Sequence, residues 1–135
     1  MTIRKYRPDD REFLIRLWEM TFPDRPQHNR PAKMIDSKLA FDDMIFVAEQ
    51  DGRIVGACMA CYDGHRGWLY AVAVLPECRL DGIGTALVEH SINALREIGC
   101  VKVNLQIRST NKSVAAFYQS LGFAVEDRLS MGLRI

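Results

Sequence analysis

The clearest hydrophobic pattern in the chain follows Gly82. Over the next sixteen residues, apolar side chains recur every three or four positions, and charged or polar residues fill the positions between them. This spacing predicts an amphipathic helix with one buried face. Gly99 comes just after the last apolar position, where glycine commonly ends a helix. The predicted buried face consists of Ile83, Leu87, Val88, Ile92, Leu95 and Ile98.

The first forty residues predict a short strand and two helices. Ile3–Tyr6 has the pattern of a strand, and Asp9 with its acidic neighbour supplies the N-terminal signals of a helix that continues to about Phe22. The segment Pro23–Pro31 contains three prolines and no periodicity, so we expect a loop there. A second helix is expected over about Ala32–Leu39.

Three apolar runs in the middle of the chain predict an antiparallel meander. The strands are Met44–Glu49, Arg53–Tyr62 and Gly67–Val74. The turns between them are indicated by Gln50–Gly52 and by Asp63–Gly67, which are rich in Asp and Gly. Because the strands are apolar almost throughout, we expect the sheet to be covered on both faces.

The last third of the chain predicts one more parallel strand and a final helix. Val101–Ile107 follows the helical crossover, so it should lie parallel to the preceding strand in a right-handed βαβ unit. The final helix starts at Asn111 and ends at Gly122. Two short strands are expected over Ala124–Leu129 and Met131–Ile135. The predicted fold class is therefore α/β, a single domain over residues 1–135 with a mixed sheet and helices on both faces.

Length, charge and apolar content narrow the classes of function. The 135 residues suit one domain, and the 48% hydrophobic content is ordinary for a globular protein. A formal net charge of +1 argues against a nucleic-acid partner, which would need a basic surface. No apolar run approaches the roughly 20 residues of a membrane span, and the N-terminus lacks the apolar region of a signal peptide. We therefore expect a cytoplasmic protein with no membrane partner.

The four cysteines do not predict a metal site or a disulfide scaffold. Cys58 and Cys61 have the C-x-x-C spacing, but they fall within a predicted strand. Three residues along a strand place two side chains on opposite faces, about 10 Å apart. We interpret both as buried thiols, and Cys78 as a bystander beside the loop described next.

A glycine-rich turn between a strand and a helix is the strongest candidate for chemistry. Arg79–Gly84 joins the strand ending at Val74 to the long helix, so it places unpaired backbone N–H groups at the positive end of the helix dipole. Such a site binds phosphate. Gly82 and Gly84 allow a sharp turn and a close approach of a diphosphate. The turn lacks the Lys of nucleotide-hydrolase loops and the third Gly of dinucleotide-binding loops.

Two motifs resemble the GCN5-related N-acetyltransferase (GNAT) family. The first is Arg-x-x-Gly-x-Gly at Arg79–Gly84, preceded by a Val-x-Val strand and a proline. The second is Asn111–Phe123, which is similar to the family pattern Asn-x-x-Ala-x-x-x-Tyr-x-x-x-Gly-Phe with a shift of one residue at Ala115. The resemblance extends over nearly the whole chain. The turn Tyr62–Gly67 is also similar to that of the small bacterial YpeA-like branch.

The resemblance implies a GNAT-like sheet whose central parallel pair splays apart, with acetyl-CoA as co-substrate and no metal. It implies acetyl transfer to an amine of a small molecule or peptide, with Tyr118 giving a proton to the departing CoA thiolate. Asn111 would contact the cofactor arm, and Arg79 would lie near the diphosphate. The backbone groups implied in cofactor binding belong to Val72, Ala73 and Val74 for the arm, and to Leu80, Asp81, Gly82, Ile83, Gly84 and Thr85 for the diphosphate.

Two departures from the family pattern bear on the chemistry. Leu80 and Asp81 occupy positions that often hold Gly and a basic or neutral residue, so we expect Asp81 to weaken CoA binding. In addition, the strand Gly67–Val74 carries no Glu or Asp to act as a general base. A water chain is one alternative to a side-chain base. The side-chain candidates are Glu49, Asp63, His65 and Tyr70.

Acceptor choice and the class of function leave alternatives open. The loop Phe22–Lys33 is basic, which favours an acceptor with a carboxylate or acidic neighbours, although a solvated loop explains the same charges. A non-catalytic acetyl-CoA sensor or interaction module is the alternative to an enzyme. The oligomeric state is also open, with a homodimer among the alternatives.

Overall fold

The computed structural model describes all residues, 1–135, as two compact units, Met1–Leu105 and Gln106–Ile135. In the first unit, the strands are β1 (Thr2–Lys5), β2 (Ile45–Gln50), β3 (Arg53–Tyr62), β4 (Gly67–Val74) and β5 (Val103–Asn104), and the helices are α1 (Arg11–Thr21), α2 (Pro31–Phe41) and α3 (Ile83–Glu97). The second unit contains the helix α4 (Lys112–Ser120). No helix combines the length and apolar character needed to span a membrane.

The five strands form one sheet in the order β1-β2-β3-β4-β5. The pairs from β1 to β4 are antiparallel, and β5 is parallel to β4. The β2–β3 hairpin turns through Asp51 and Gly52, both with positive φ, as a two-residue hairpin requires. The mixed α/β fold predicted from the sequence is confirmed.

Helices cover both faces of the sheet. Ala57 and Met59 of β3 belong to the core cluster formed with Leu14 and Trp18 of α1. Gly56 points to the opposite face, since neighbouring residues of a strand alternate, and a Cβ there would lie 2.9 Å from Leu87 of α3. The two helical layers therefore pack on opposite sides of β3.

The helix ends agree closely with the sequence predictions. Gly99, two residues after the end of α3, has φ 97°, and the N–H of Cys100 donates to the carbonyl of Leu95. In the second unit, Gly122 has φ 98°, and the N–H of Phe123 donates to the carbonyl of Tyr118. Both are Schellman motifs, in which the glycine lets the chain reverse and satisfies the last carbonyls.

Three strand predictions were wrong in extent or existence. The strand expected over Val101–Ile107 is only Val103–Asn104, and the segments Ala124–Leu129 and Met131–Ile135 contain no strand. A strand is stabilised by hydrogen bonds to a neighbouring strand, whereas alternation of apolar residues specifies only which face would be buried. In the structure, Leu129, Met131, Leu133 and Ile135 are exposed.

Candidate active site

A β-bulge interrupts β4 at the start of its predicted cofactor-binding stretch. Ala57 of β3 pairs with Ala73, but Met59, two residues later, pairs with Tyr70, three residues earlier. Two residues of β4, Ala71 and Val72, therefore face one residue of β3, which defines a bulge. Ala71 has φ 52°, a left-handed conformation that costs a non-glycine residue about 1 kcal/mol. This strain therefore lies at the bulge, where β4 changes direction.

A buried tryptophan holds this bulge. The indole Nε1 of Trp18 donates a hydrogen bond of 2.9 Å to the carbonyl of Ala71, and Trp18 is 1% exposed in the core of the first unit. Neither residue could be assigned to the site from the sequence. Trp18 sits in the apolar stripe of α1, and Ala71 lies inside an apolar run, so no local pattern distinguished them from ordinary core residues.

The parallel pair β4–β5 separates soon after it begins. Pairing is limited to Gly67 with Val103 and Trp68 with Asn104. Val72, Ala73 and Val74 therefore lie beyond the last β5 partner, as the predicted splay requires. Ala73 is buried, whereas Val72 and Val74 are half-buried. This stretch presents backbone that β5 does not occupy.

The loop after β4 leaves a run of backbone donors without acceptors. A short 3-10 turn over Pro76–Cys78 comes first, and Leu80 (φ 70°) and Gly82 (φ 79°) then adopt left-handed conformations. The N–H groups of residues 80–85 donate to no backbone or side-chain acceptor, and Ala86 makes the first helical bond, to Gly82. No side chain caps the N-terminus of α3. Six consecutive free donors at a helix N-terminus fit an anionic group such as a diphosphate.

Arg79 connects this loop to the strand before it. Its Nε donates to the carbonyl of Val74 at 3.2 Å, while the side chain remains exposed. The guanidinium therefore lies beside the start of the loop and adds a positive charge there. Asp81 is exposed and contributes a negative charge two residues before α3 begins.

The second unit holds the other two predicted site residues. Asn111 caps α4, since its side-chain oxygen accepts from the N–H of Val114 at 3.4 Å. Tyr118 is 7% exposed, and its ring makes edge contacts with Phe117 (5.0 Å between centroids) and Phe123 (5.5 Å). Phe123, just after the Schellman glycine, therefore packs back on Tyr118. Val72–Val74 and Arg79–Thr85 belong to the first unit, whereas Asn111 and Tyr118 lie at the start and near the end of α4 in the second.

The contacts of the candidate bases make two of them poor proton acceptors. Asp63 accepts hydrogen bonds of 2.7 Å from the N–H groups of Arg66 and His65, which hold the pKa of its carboxyl below the ordinary value. Burial, followed by the charges of Cys61 and Asp63, raises the pKa of Tyr70. Asp63 therefore stabilises its turn as an anion, and Tyr70 stays protonated at neutral pH.

The other two candidates differ in their surroundings. The carboxylate of Glu49 accepts from Arg4 at 3.0 Å, so it belongs to an ion pair at the β1–β2 edge. His65 is exposed in the β3–β4 turn, with Nδ1 3.4 Å from Arg66 Nη1. Neither arrangement singles out a general base, and no group of His, Cys, Asp and Glu is arranged to hold a metal ion.

A cavity of about 400 Å³ lies at the predicted acceptor loop. The guanidinium of Arg25 stacks over the ring of Phe22, with its carbon 4.2 Å from the ring centroid. This cation–π contact places a positive charge in the lining of the cavity. The lining residues are Glu19, Phe22, Pro23, Arg25, Arg30 and Pro31.

A family model described as the Acetyltransferase (GNAT) family matches residues 11–123. A protein named acetyltransferase from Pectobacterium atrosepticum is 40% identical over 136 residues, a match covering 100% of this chain and 96% of that relative.

Solved structures share the fold. The ribosomal-protein-S18-alanine N-acetyltransferase from Escherichia coli aligns with a TM-score of 0.76 and 26% identity over 90% of this chain and 76% of that one. The AAC(6')-Iy structure in complex with a CoA bisubstrate analogue aligns with a TM-score of 0.82 and 22% identity, over 99% and 97% of the two chains. At that identity, the second match establishes the fold alone.

Proposed function

The chain belongs to the acetyltransferase (GNAT) family, whose members use acetyl-CoA, and on that premise we propose that it transfers the acetyl group directly to an amine of a small molecule or peptide. The family prediction made from the two motifs is confirmed, and with it the prediction of an acetyl-CoA-dependent enzyme. Assignment to the YpeA-like branch stays a prediction, as does the cytoplasmic location.

The run of free N–H groups over residues 80–85 is the observation that carries the proposal. In this proposal, these donors bind the diphosphate of CoA, and Arg79 adds positive charge beside them. Val72, Ala73 and Val74 bind the cofactor arm along the edge that β5 leaves unpaired. Acetyl-CoA supplies the activated acyl group, and the chain's contribution is to hold it beside the amine, which accelerates transfer through proximity.

Two groups are proposed to stabilise charge during transfer. A backbone N–H at Val72–Val74 donates to the carbonyl oxygen as it becomes anionic. The hydroxyl of Tyr118 donates a proton to the thiolate sulfur as the bond to the acetyl carbon breaks; tyrosine and thiolate have similar basicity. The match of Asn111–Phe123 to the family pattern supports the assignment of Tyr118.

The cavity at the α1–α2 loop is proposed as the acceptor site. Arg25 and Arg30 line it, and Glu19 is the acidic residue that faces them. The basic residues of this loop favour an acceptor that carries its own negative charge near the reacting amine. The Escherichia coli structural relative is named for a protein alanine acceptor, which is compatible with a peptide here.

A non-catalytic acetyl-CoA sensor remains the second candidate. It is favoured by the contacts of Asp63, whose lowered pKa and two backbone hydrogen bonds make it a weak base. A sensor would bind acetyl-CoA through the same loop without needing a general base or Tyr118. Turnover with an acceptor separates the two functions.

An acceptor panel with detection of free CoA thiol tests the proposal. We expect acceptor-dependent release of CoA, at least tenfold slower in Tyr118→Phe, with acetyl-CoA affinity within about twofold of wild type because the ring packing is kept. Tyr62→Phe is the matched control, since that hydroxyl bonds only to the Gly64 and Gly99 carbonyls. Acetyl-CoA binding without acceptor-dependent release from any amine would favour the sensor.

A further inference from the structure

The hydrogen bond between Trp18 and Ala71 joins a buried helix to the strained residue of β4. The donor is the indole Nε1 and the acceptor is the carbonyl oxygen at 2.9 Å. A bulge removes residues from the regular ladder, so this carbonyl needs a partner outside β3. A buried tryptophan equally needs an acceptor for its N–H. The contact satisfies both groups at once.

The same contact fixes the direction of the next backbone donor. The carbonyl of Ala71 and the N–H of Val72 belong to one peptide unit, which is planar and trans. In a trans peptide, these two groups point in opposite directions. Holding the carbonyl toward α1 therefore aims the Val72 N–H away from α1. Accepting a hydrogen bond also polarises the peptide, which makes its N–H a stronger donor.

The hydrogen bond from Trp18 acts at a residue with a strained backbone conformation. With φ 52°, Ala71 is in a region that L-residues avoid. A rotation of the Ala71–Val72 peptide, which changes ψ of Ala71 and φ of Val72, would move the Val72 N–H. Trp18 is well suited to prevent that rotation. It is 1% exposed and packs in one cluster with Leu14, Leu17 and Ile35, so its ring has little freedom to follow the peptide.

We propose that Trp18 is a positioning residue for acetyl transfer, because its indole N–H locks the Ala71–Val72 peptide and keeps the Val72 N–H directed at the acetyl carbonyl. The inference rests on the proposed function, in which that amide stabilises the developing negative charge. Trp18 contacts neither substrate, so its effect belongs to the rate of transfer and not to the binding of acetyl-CoA.

The test removes the donor while keeping the ring. In one variant, the benzothiophene analogue of tryptophan is incorporated at position 18, so that sulfur replaces the N–H; Trp18→Phe is the second variant. We expect kcat to fall about tenfold, less than the roughly 10²–10³-fold lost when an oxyanion donor is removed outright. The KM for acetyl-CoA should stay within about twofold of wild type.

Ile35→Val is the packing control, because Ile35 lies in the same cluster, is fully buried and offers no polar group. Its kcat should stay within about twofold of wild type even where its melting temperature falls by several degrees, as one lost methylene predicts. Equal kcat in the benzothiophene variant and wild type would overturn the role of Trp18, and so would an equal loss of kcat in Ile35→Val.

An NMR measurement separates failure of this inference from failure of the proposed function. In wild type, acetyl-CoA should shift the Val72 amide resonance further than CoA does, and the benzothiophene variant should lose that difference. A wild type that binds acetyl-CoA but acetylates nothing in the panel contradicts the proposed function alone. A Val72 response to acetyl-CoA that persists unchanged in the variant contradicts the role of Trp18.

Discussion

Leu80 and Gly82 both carry a positive φ in the loop before α3, but only one of them is a glycine. Leu80 has φ 70° and a fully exposed side chain, so its conformation is not compensated by packing. Gly82 has φ 79°, and a Cβ added there would meet nothing within 4 Å. Substitution at either position therefore reports backbone strain and little else.

We expect Gly82→Ala to lower the free energy of unfolding by about 1 kcal/mol, the cost of a left-handed L-residue. Leu80→Gly should change it by less than about 0.5 kcal/mol, since relief of strain offsets the greater freedom of glycine in the unfolded chain. Urea unfolding of both variants measures the difference. A larger loss for Leu80→Gly than for Gly82→Ala would contradict this conformation of the loop.

Asp81 places an exposed negative charge in the same loop. Reversing it in Asp81→Lys should tighten CoA binding about fivefold at low salt, because repulsion of the diphosphate becomes attraction at the positive end of α3. The gain should shrink in about 0.5 M salt. Glu97→Lys makes the same change of charge at the last residue of α3, about 20 Å away, and should leave the affinity unchanged. Calorimetry on both variants tests the expectation, and no tightening in Asp81→Lys would refute it.

At the scale of elements, an ion pair fastens the start of α1 to β1. Arg4 donates two hydrogen bonds to the Asp10 carboxylate, at 2.8 and 2.9 Å, and the N–H of Arg7 donates a third at 2.7 Å. Burial alone would raise the pKa of Asp10, but these three donors and the positive charge of Arg4 outweigh it and hold the pKa of this carboxyl below its ordinary value. The group is nearly buried, so the pair should contribute measurably to stability.

Asp10→Asn should therefore lower the free energy of unfolding by about 2 kcal/mol at pH 7. Because the folded pKa is depressed, this contribution is present above the unfolded pKa of about 4 and is lost as the pH falls through the lower folded value. Wild type and variant should converge once the pH has fallen below the folded pKa of Asp10. Asp36→Asn is the control, since its pair with Arg11 is exposed and should contribute less than about 0.5 kcal/mol. A difference that persists unchanged in acid would contradict the ion-pair explanation.

Local signals made most elements predictable. The extent of α3 follows from apolar spacing, and its end from Gly99; the β2–β3 turn follows from Asp51 and Gly52. The short extent of β5 depends on which residues β4 can still reach, and no local pattern contains that information. The C-terminal strands failed for the same reason, since their alternation specifies a face but supplies no partner.

The candidate site was predictable in part. The loop could be located because glycines at positions 82 and 84 allow a sharp turn that a diphosphate can approach closely. Leu80 departs from the family pattern, and the structure gives this residue a positive φ. The bulge at Ala71 could not be predicted, because nothing in an apolar run of residues indicates that one alanine has a positive φ. Its partner Trp18 is a core residue in every local respect, so its second role emerges only from tertiary structure.

At the scale of the whole molecule, a net charge of +1 provides little long-range attraction for a polyanionic ligand. Affinity for CoA must then come from local donors. In the first unit, β4 is the last strand of the antiparallel meander and contains the bulge. It leads directly into the loop whose backbone N–H groups have no acceptor. The fold thus places two sets of backbone donors in succession, which we propose bind the acyl end and the diphosphate of acetyl-CoA.

Amide NMR during a titration tests whether those loop donors bind the diphosphate. With CoA, the ¹H–¹⁵N resonances of residues 80–85 should shift strongly. Pantetheine, which lacks the diphosphate, should shift the Val72–Val74 resonances and leave those of residues 80–85 unchanged. Saturating CoA that leaves the resonances of residues 80–85 unchanged would contradict diphosphate binding by this loop.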